Sequence, residues 1–141
     1  MNESLGLLLK ALRFSAEKHS DQRRKDSKSS PYINHPIQVA ETLWTIGEVR
    51  EITLLVASVL HDTIEDTGTQ PEEIRAKFGE EVLGLVLEVT DDKSLPKQTR
   101  KRLQVETAPH KTHNAKLLKL ADKICNVRDL TYSPPRGWSL A

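Results

Sequence analysis

His61 and Asp62 close the most apolar stretch of the chain, and Glu65 and Asp66 follow one helical turn later. Placing several ionisable groups against such a stretch costs on the order of several kcal/mol per buried ion unless a partner or a metal compensates it. On a continuing helix His61 and Glu65 share one face, and Asp62 and Asp66 share the adjacent one. An imidazole next to a carboxylate suits a metal, and a second acidic pair one turn away could handle the water that such a metal activates. His35 is the best second imidazole, because it opens a helix beside Pro36 and precedes an apolar face, whereas His19, His110 and His113 lie in polar surroundings. Asp122 is the best added carboxylate: it falls between Leu118, Ala121 and Cys125, with Asn126 one turn further on and Asp129 beyond it. Plainer readings stand beside these. His35 could cap or decorate a helix start, Asp122 could pair with Lys119 or Lys123, and Glu65-Asp66 could be a polar helix end. Acidic groups are, however, unfavourable at the C-terminal end of a helix dipole.

The elements that must hold these residues follow from periodicity. Leu5, Leu8, Leu9, Leu12 and Ala16 recur at helical spacing and predict a first helix with that apolar face. Ser20 to Ser30 is almost wholly polar and reads as a loop, carrying the basic cluster Arg23-Arg24-Lys25. Asn34 offers an N-cap to a helix with Pro36 in its first turn and Ile37, Ala40 and Trp44 along its face, ended by Gly47. The run from Glu51 to Leu60 reads as a helix buried all round. Its β-branched residues also permit a strand, but it continues into His61–Asp66 without a breaker, which favours helix. Thr69 with Glu72 resembles a capping box with Pro71 behind it, and Ile74 and Phe78 form a short seam ending at Gly79. Helices over about 80–89 and 114–130 follow, separated by a polar link from Thr90 and a basic run that includes Arg100-Lys101-Arg102. Ser133-Pro134-Pro135 and Gly137 read as irregular structure. No strand pair and no internal repeat is found, so the expected fold class is all-α.

Composition narrows the functional classes. One domain accommodates 141 residues, and 37% hydrophobic with 29% charged residues is the balance of a globular chain, too apolar for disorder. The Ile52–Leu60 run is far shorter than the ~20 residues that span a bilayer, and no signal peptide is expected at the N-terminus. The single cysteine, Cys125, excludes an intrachain disulfide and a cysteine-based zinc site and agrees with a reducing compartment, so a cytoplasmic protein is expected. Twenty-one Lys and Arg against 20 Asp and Glu leave a net charge of +1, which argues against nucleic acid as a partner. The two basic clusters read most simply as solvated surface, although they could flank an anionic substrate.

Several ordered blocks carry a resemblance. Arg23-Arg24-Lys25-Asp26 with Pro31-Tyr32-Ile33-Asn34-His35-Pro36 comes first, then Leu60-His61-Asp62-Thr63-Ile64-Glu65-Asp66-Thr67, Thr90-Asp91-Asp92-Lys93, Lys101-Arg102-Leu103-Gln104 and 119–130. Together they resemble the hydrolase domain of the RelA/SpoT group within the HD superfamily, over nearly the whole chain. The closest likeness is to the stand-alone small alarmone hydrolases of the metazoan SpoT-homologue type, since no synthetase domain fits in this length.

The resemblance implies an all-helical fold with one divalent metal held by His35, His61, Asp62 and Asp122. It implies that Glu65 and Asp66 orient and activate the attacking water and that Asn126 lies near the nucleotide sugar. Arg24 would pack on the guanine and Lys25 would face phosphate. The implied reaction is hydrolysis of the 3′-pyrophosphate of guanosine tetraphosphate or pentaphosphate (ppGpp or pppGpp), giving GDP or GTP plus pyrophosphate. A mixed N/O ligand set suits Mn²⁺, Fe²⁺ or Zn²⁺; the family most often uses Mn²⁺, and its animal members are also found with Zn²⁺. Removal of the 2′-phosphate of NADPH, an activity of animal relatives, is the alternative enzyme reading, and a non-catalytic nucleotide-binding protein is a third. Two departures accompany the likeness. Cys125 stands where similar proteins often carry an aromatic or polar residue. The family also continues through further helices after the Gly137-Trp138-Ser139 region, so those helices are expected to be absent, leaving an exposed apolar patch open to self-association.

Overall fold

The computed structural model describes residues 2–25 and 28–132. Eight α-helices run along it: α1 (Asn2–Lys18), α2 (Asn34–Thr45), α3 (Ile52–Leu60), α4 (Thr63–Thr67), α5 (Pro71–Phe78), α6 (Glu80–Glu88), α7 (Lys97–Thr107) and α8 (His113–Tyr132). A 3₁₀ turn, Ala108–His110, precedes α8. The described residues contain no strand, only an isolated antiparallel bridge between Arg23 and Pro31, so the fold is all-α. Asp26, Ser133-Pro134-Pro135, Gly137 and the rest of 133–141 lie outside the described residues.

The apolar run became the central helix. α3 buries Leu54 through Leu60, and α1, α2 and α6 pack around it while α8 packs on α2. Each fully buried Leu or Val side chain of that helix contributes roughly 1.5–3 kcal/mol of transfer free energy, which is why a sequence apolar on every side settles at the centre. α8 closes the bundle with Leu118, Ala121 and Cys125 inward, on the stripe that spacing predicted, and Ala115 buried beside them.

Helix α3 does not continue through the acidic residues as expected. It ends at Leu60, and His61-Asp62 form a turn before α4. The residues at the break supply the reason. Ser58 Oγ donates to Leu55 O (2.7 Å), His61 Nδ1 to Ser58 O (2.6 Å) and Thr63 Oγ1 to Leu60 O (2.8 Å), so side chains occupy carbonyls around the helix end. Asp62 sits at φ −98°, ψ −1°. The break re-aims His61 and Asp62 together instead of leaving them on adjacent faces. α4 stops one turn later at Gly68, whose φ of +73° favours glycine.

Two buried faces differ from the periodicity. In α1, Leu5 and Leu9 are exposed, and the contact runs along Ala11, Phe14 and Ser15. Phe14 anchors it, edge-on to Phe78 at 5.5 Å, and the small Ala11 and Ser15 allow α3 to approach. In α2, Ile37 and Trp44 are exposed while His35, Pro36, Val39, Thr42 and Leu43 are buried. The inward side of α2 is part polar because it faces the functional cluster and α8, where Thr42 Oγ1 meets Cys125 Sγ at 3.3 Å. Trp44 is instead covered by the Arg50 guanidinium, 3.6 Å from its ring centroid. Asn34 is the first helical residue rather than the cap, which is Ile33. The capping box lies one residue later than expected: Gln70 caps α5 and Glu73 reaches back to its N–H at 3.1 Å, while Thr69 is buried against Thr67. The basic run forms α7, a helix with no buried residue.

Candidate active site

Four side chains from three places in the chain converge between α2, α8 and the break after α3. The second residue of α2 supplies His35, the break supplies His61 and Asp62, and the middle of α8 supplies Asp122. His35, His61 and Asp62 offer ligand atoms that all lie within 4.8 Å of one another. Asp62 Oδ2 is 3.1 Å from His61 Nε2 and 4.0 Å from His35 Nε2. Asp122 Oδ1 is 2.7 Å from His35 Nε2 and 3.3 Å from His61 Nε2. Both imidazoles are buried, and Asp122 pairs with them rather than with Lys119 or Lys123.

The hydrogen bonds decide what this cluster wants. Because a carbonyl can only accept, His61 Nδ1 must carry the proton it gives to Ser58 O, which turns a bare Nε2 toward two carboxylates when the ring is neutral. Only a proton or a cation at that point satisfies all three groups. Burial opposes charge on His61, but the Asp62 charge and the bonds to Asp122 and Asp62 outweigh it and lift the imidazole well above its ordinary value. Burial likewise works against ionised Asp62, yet the His61 charge and the bonds from His61 and Tyr32 hold it at about 2. Asp122 is held well below the carboxylate range by both imidazoles, despite its burial. The cluster therefore demands positive charge, and its two nitrogens and two carboxylates match a divalent metal.

Around the cluster stand the acids of α4. Glu65 Oε1 accepts the backbone N–H of Asp91 at 2.8 Å, and burial with the nearby Asp66 and Asp62 charges raises its carboxyl above the ordinary value against that bond. Asp66 Oδ1 accepts from Lys93 Nζ at 2.5 Å, and Asp91 in turn accepts from Gln104 of α7 at 2.6 Å. A cavity of about 220 Å³ opens among Glu65, Asp66, Asp91, Asp122 and the two histidines. A second cleft of about 550 Å³ adjoins it, lined by Arg23, Arg24, Lys25 and Lys28, with Asp129 its one acid among the described residues; Tyr32, His35 and Asn126 line both. Arg24 lies over the Tyr32 ring, 5.6 Å from its centroid, and donates to Asp129 at 2.5 Å. Arg23-Arg24-Lys25 is thus the wall of a cleft rather than plain surface.

The HD domain family model matches residues 11–140. Relatives from Xenopus tropicalis and Homo sapiens, both named guanosine-3′,5′-bis(diphosphate) 3′-pyrophosphohydrolase MESH1, are each 54% identical over 99% of this chain and 78% of their own. This chain belongs to the HD family, in its MESH1 branch. A solved structure of a metazoan ortholog of SpoT that hydrolyzes ppGpp superposes with a TM-score of 0.91 at 47% identity, covering 95% of this chain and 75% of the other. The HD domain implies a divalent metal, and the His35–His61–Asp62 group is the place among the described residues that can take one.

All nine residues singled out in the sequence border the two joined cavities: Asn126, His35, His61, Asp62, Asp122, Glu65 and Asp66 around the smaller, Arg24 and Lys25 along the larger. Spacing missed four others. His19, placed in polar surroundings, is buried, with Nδ1 2.7 Å from Gln22 Oε1 and its ring 4.8 Å from Tyr32. Tyr32 donates to Asp62 Oδ2 at 2.6 Å, and Asp91 and Lys93 brace Glu65 and Asp66. The signals for Asp91 and Lys93 were an acid–acid–base triplet soon after an apolar helix and its place among the blocks that carry the family resemblance.

Proposed function

We propose that this chain hydrolyses the 3′-pyrophosphate of guanosine 3′,5′-bis(diphosphate) or its pentaphosphate analogue, releasing GDP or GTP and pyrophosphate. The observation that carries the reading is the joined pair of cavities, a His/Asp cluster with two acids opening into a cleft walled by Arg and Lys. Its relatives' shared name points the same way.

In this reading His35, His61, Asp62 and Asp122 hold the metal, Mn²⁺ foremost with Zn²⁺ or Fe²⁺ as alternatives. A divalent ion there supplies charge that neutralises phosphate and acidifies water. Glu65 takes the proton of the attacking water; its raised carboxyl is a better base than an ordinary glutamate, and the Asp91 N–H fixes its orientation. Asp66, tied to Lys93, orients the same water. The water oxygen bonds to the phosphorus carried on the 3′ oxygen, the bond from that phosphorus to the 3′ oxygen breaks, and the 3′ oxygen leaves with a proton. Arg24, already over the Tyr32 ring, stacks on the guanine, Lys25 meets phosphate, and Asn126, at the junction of the cavities, meets the ribose. The lone cysteine supports a cytoplasmic setting. Self-association belongs to the same reading, because Leu120 and Val127 are exposed seven positions apart on α8; a sedimenting species that stays monomeric at every concentration would remove it.

The test is release of pyrophosphate from ppGpp, with NADPH offered to the same preparation. Glu65→Gln should lower kcat by about 10²–10⁴-fold, the usual weight of a general base, and Asp62→Asn should abolish turnover. Full activity in both would sink the assignment, and faster dephosphorylation of NADPH would move it to that substrate.

A further inference from the structure

Tyr32 is the residue common to both cavities that no step above uses as a chemical group. Its hydroxyl donates to Asp62 Oδ2 at 2.6 Å, the same oxygen that faces the two imidazole nitrogens. Its ring carries the Arg24 guanidinium on one side and packs against His19 at 4.8 Å, while its backbone N–H donates to Gln22 O at 3.0 Å. The ring therefore meets Arg24 and His19, and the backbone is tied to Gln22, before the hydroxyl reaches Asp62.

We infer that Tyr32 is a positioning residue with two separable duties: its hydroxyl aims Asp62 at the metal, and its ring is the platform that sets Arg24 for the nucleotide base. A carboxylate oxygen that holds a fixed O–H donor on one lone pair has its other directed, here toward His61 and His35. Partners of this kind behind a metal ligand are commonly worth 10–100-fold in metal affinity. The ring duty follows from position. The Arg24 guanidinium carbon lies over the ring, 5.6 Å from its centroid, while the same group donates to Asp129 at 2.5 Å, so the ring and that carboxylate together fix where the guanidinium stands.

This inference rests on the reading of Asp62 as a metal ligand, and the experiment separates the two. Metal-free protein is titrated with Mn²⁺ and the bound ion is measured directly, without substrate. Tyr32→Phe keeps the ring and loses only the hydroxyl, so its Kd for Mn²⁺ should rise by about 10–100-fold, while KM for ppGpp at saturating Mn²⁺ stays within about twofold. Tyr32→Leu removes the ring too and should raise KM about tenfold at saturating Mn²⁺, an effect that a hydroxyl defect alone does not produce. Unchanged Mn²⁺ affinity in Tyr32→Phe, with affinity lost in Asp62→Asn, overturns the inference and leaves the metal site standing. Unchanged affinity in Asp62→Asn overturns the ligand reading beneath it. Equal KM values for Tyr32→Phe and Tyr32→Leu overturn the platform duty.

Discussion

His61 and the two aspartates around it form a charge balance whose sign is testable in the protein freed of metal. The imidazole is raised in the folded state, so its contribution to stability is complete below its unfolded value near 6.5 and is lost as pH rises through the higher folded value. Asp62 and Asp122 are lowered, so theirs is complete above the unfolded carboxylate value near 3.9 and is lost as pH falls toward about 2, where Asp62 titrates. Glu65 is raised and opposes them mildly: ionising it in the fold is unfavourable above its unfolded value near 4.5. Thermal unfolding of metal-free protein should thus show greatest stability between about pH 4 and 6.5, set by the larger shifts. Asp62→Asn should shrink the fall on both flanks. Binding of a divalent ion should release the His61 proton, so added Mn²⁺ at pH 7 should restore Tm and acidify an unbuffered solution. A Tm flat from pH 4 to 9 without metal would contradict the charge balance.

At the level of elements, the sequence was legible wherever burial and apolarity coincide. α3, α6 and the Leu118–Ala121–Cys125 side of α8 lie where spacing puts them, because desolvation is the force that chooses their faces. It was illegible where a buried face is polar. α2 turns His35 and Thr42 inward and leaves Trp44 outside, a choice dictated by partners 83 and 87 positions away, Cys125 and Asp122. α7 buries nothing, so no apolar stripe announces it; Gln104 ties it to Asp91 across the cleft. The His/Asp cluster was readable for a related reason. Acids and histidines against an apolar helix are a misfit that only a compensating charge resolves, and the misfit itself is visible in one dimension. Tyr32, His19 and Lys93 carry no such misfit, since their importance is a matter of whom they touch. The turn at His61-Asp62 was hidden because Ser58 and Thr63 break the helix with bonds that helical periodicity does not record.

On the scale of the whole molecule a net charge of +1 conceals two opposed fields lying side by side. Arg23, Arg24, Lys25 and Lys28 line one cavity, and Asp62, Glu65, Asp66, Asp91 and Asp122 line its neighbour. A polyanionic nucleotide approaching from solvent feels a nearly neutral body at long range and the basic wall only within about 10 Å, the screening length at 0.1 M salt. The basic cleft should therefore draw the substrate in, and the acidic cavity should admit only the phosphate that a cation has neutralised. Raising salt from 0.05 to 0.5 M shortens the screening length severalfold, so kcat/KM for ppGpp should fall by about tenfold with kcat nearly constant. Lys28→Gln, at the rim of that wall, should flatten the salt dependence and leave kcat at saturation within about twofold. If kcat falls with salt as steeply as kcat/KM, the charges act on the chemical step instead, and the division of labour between the two cavities fails.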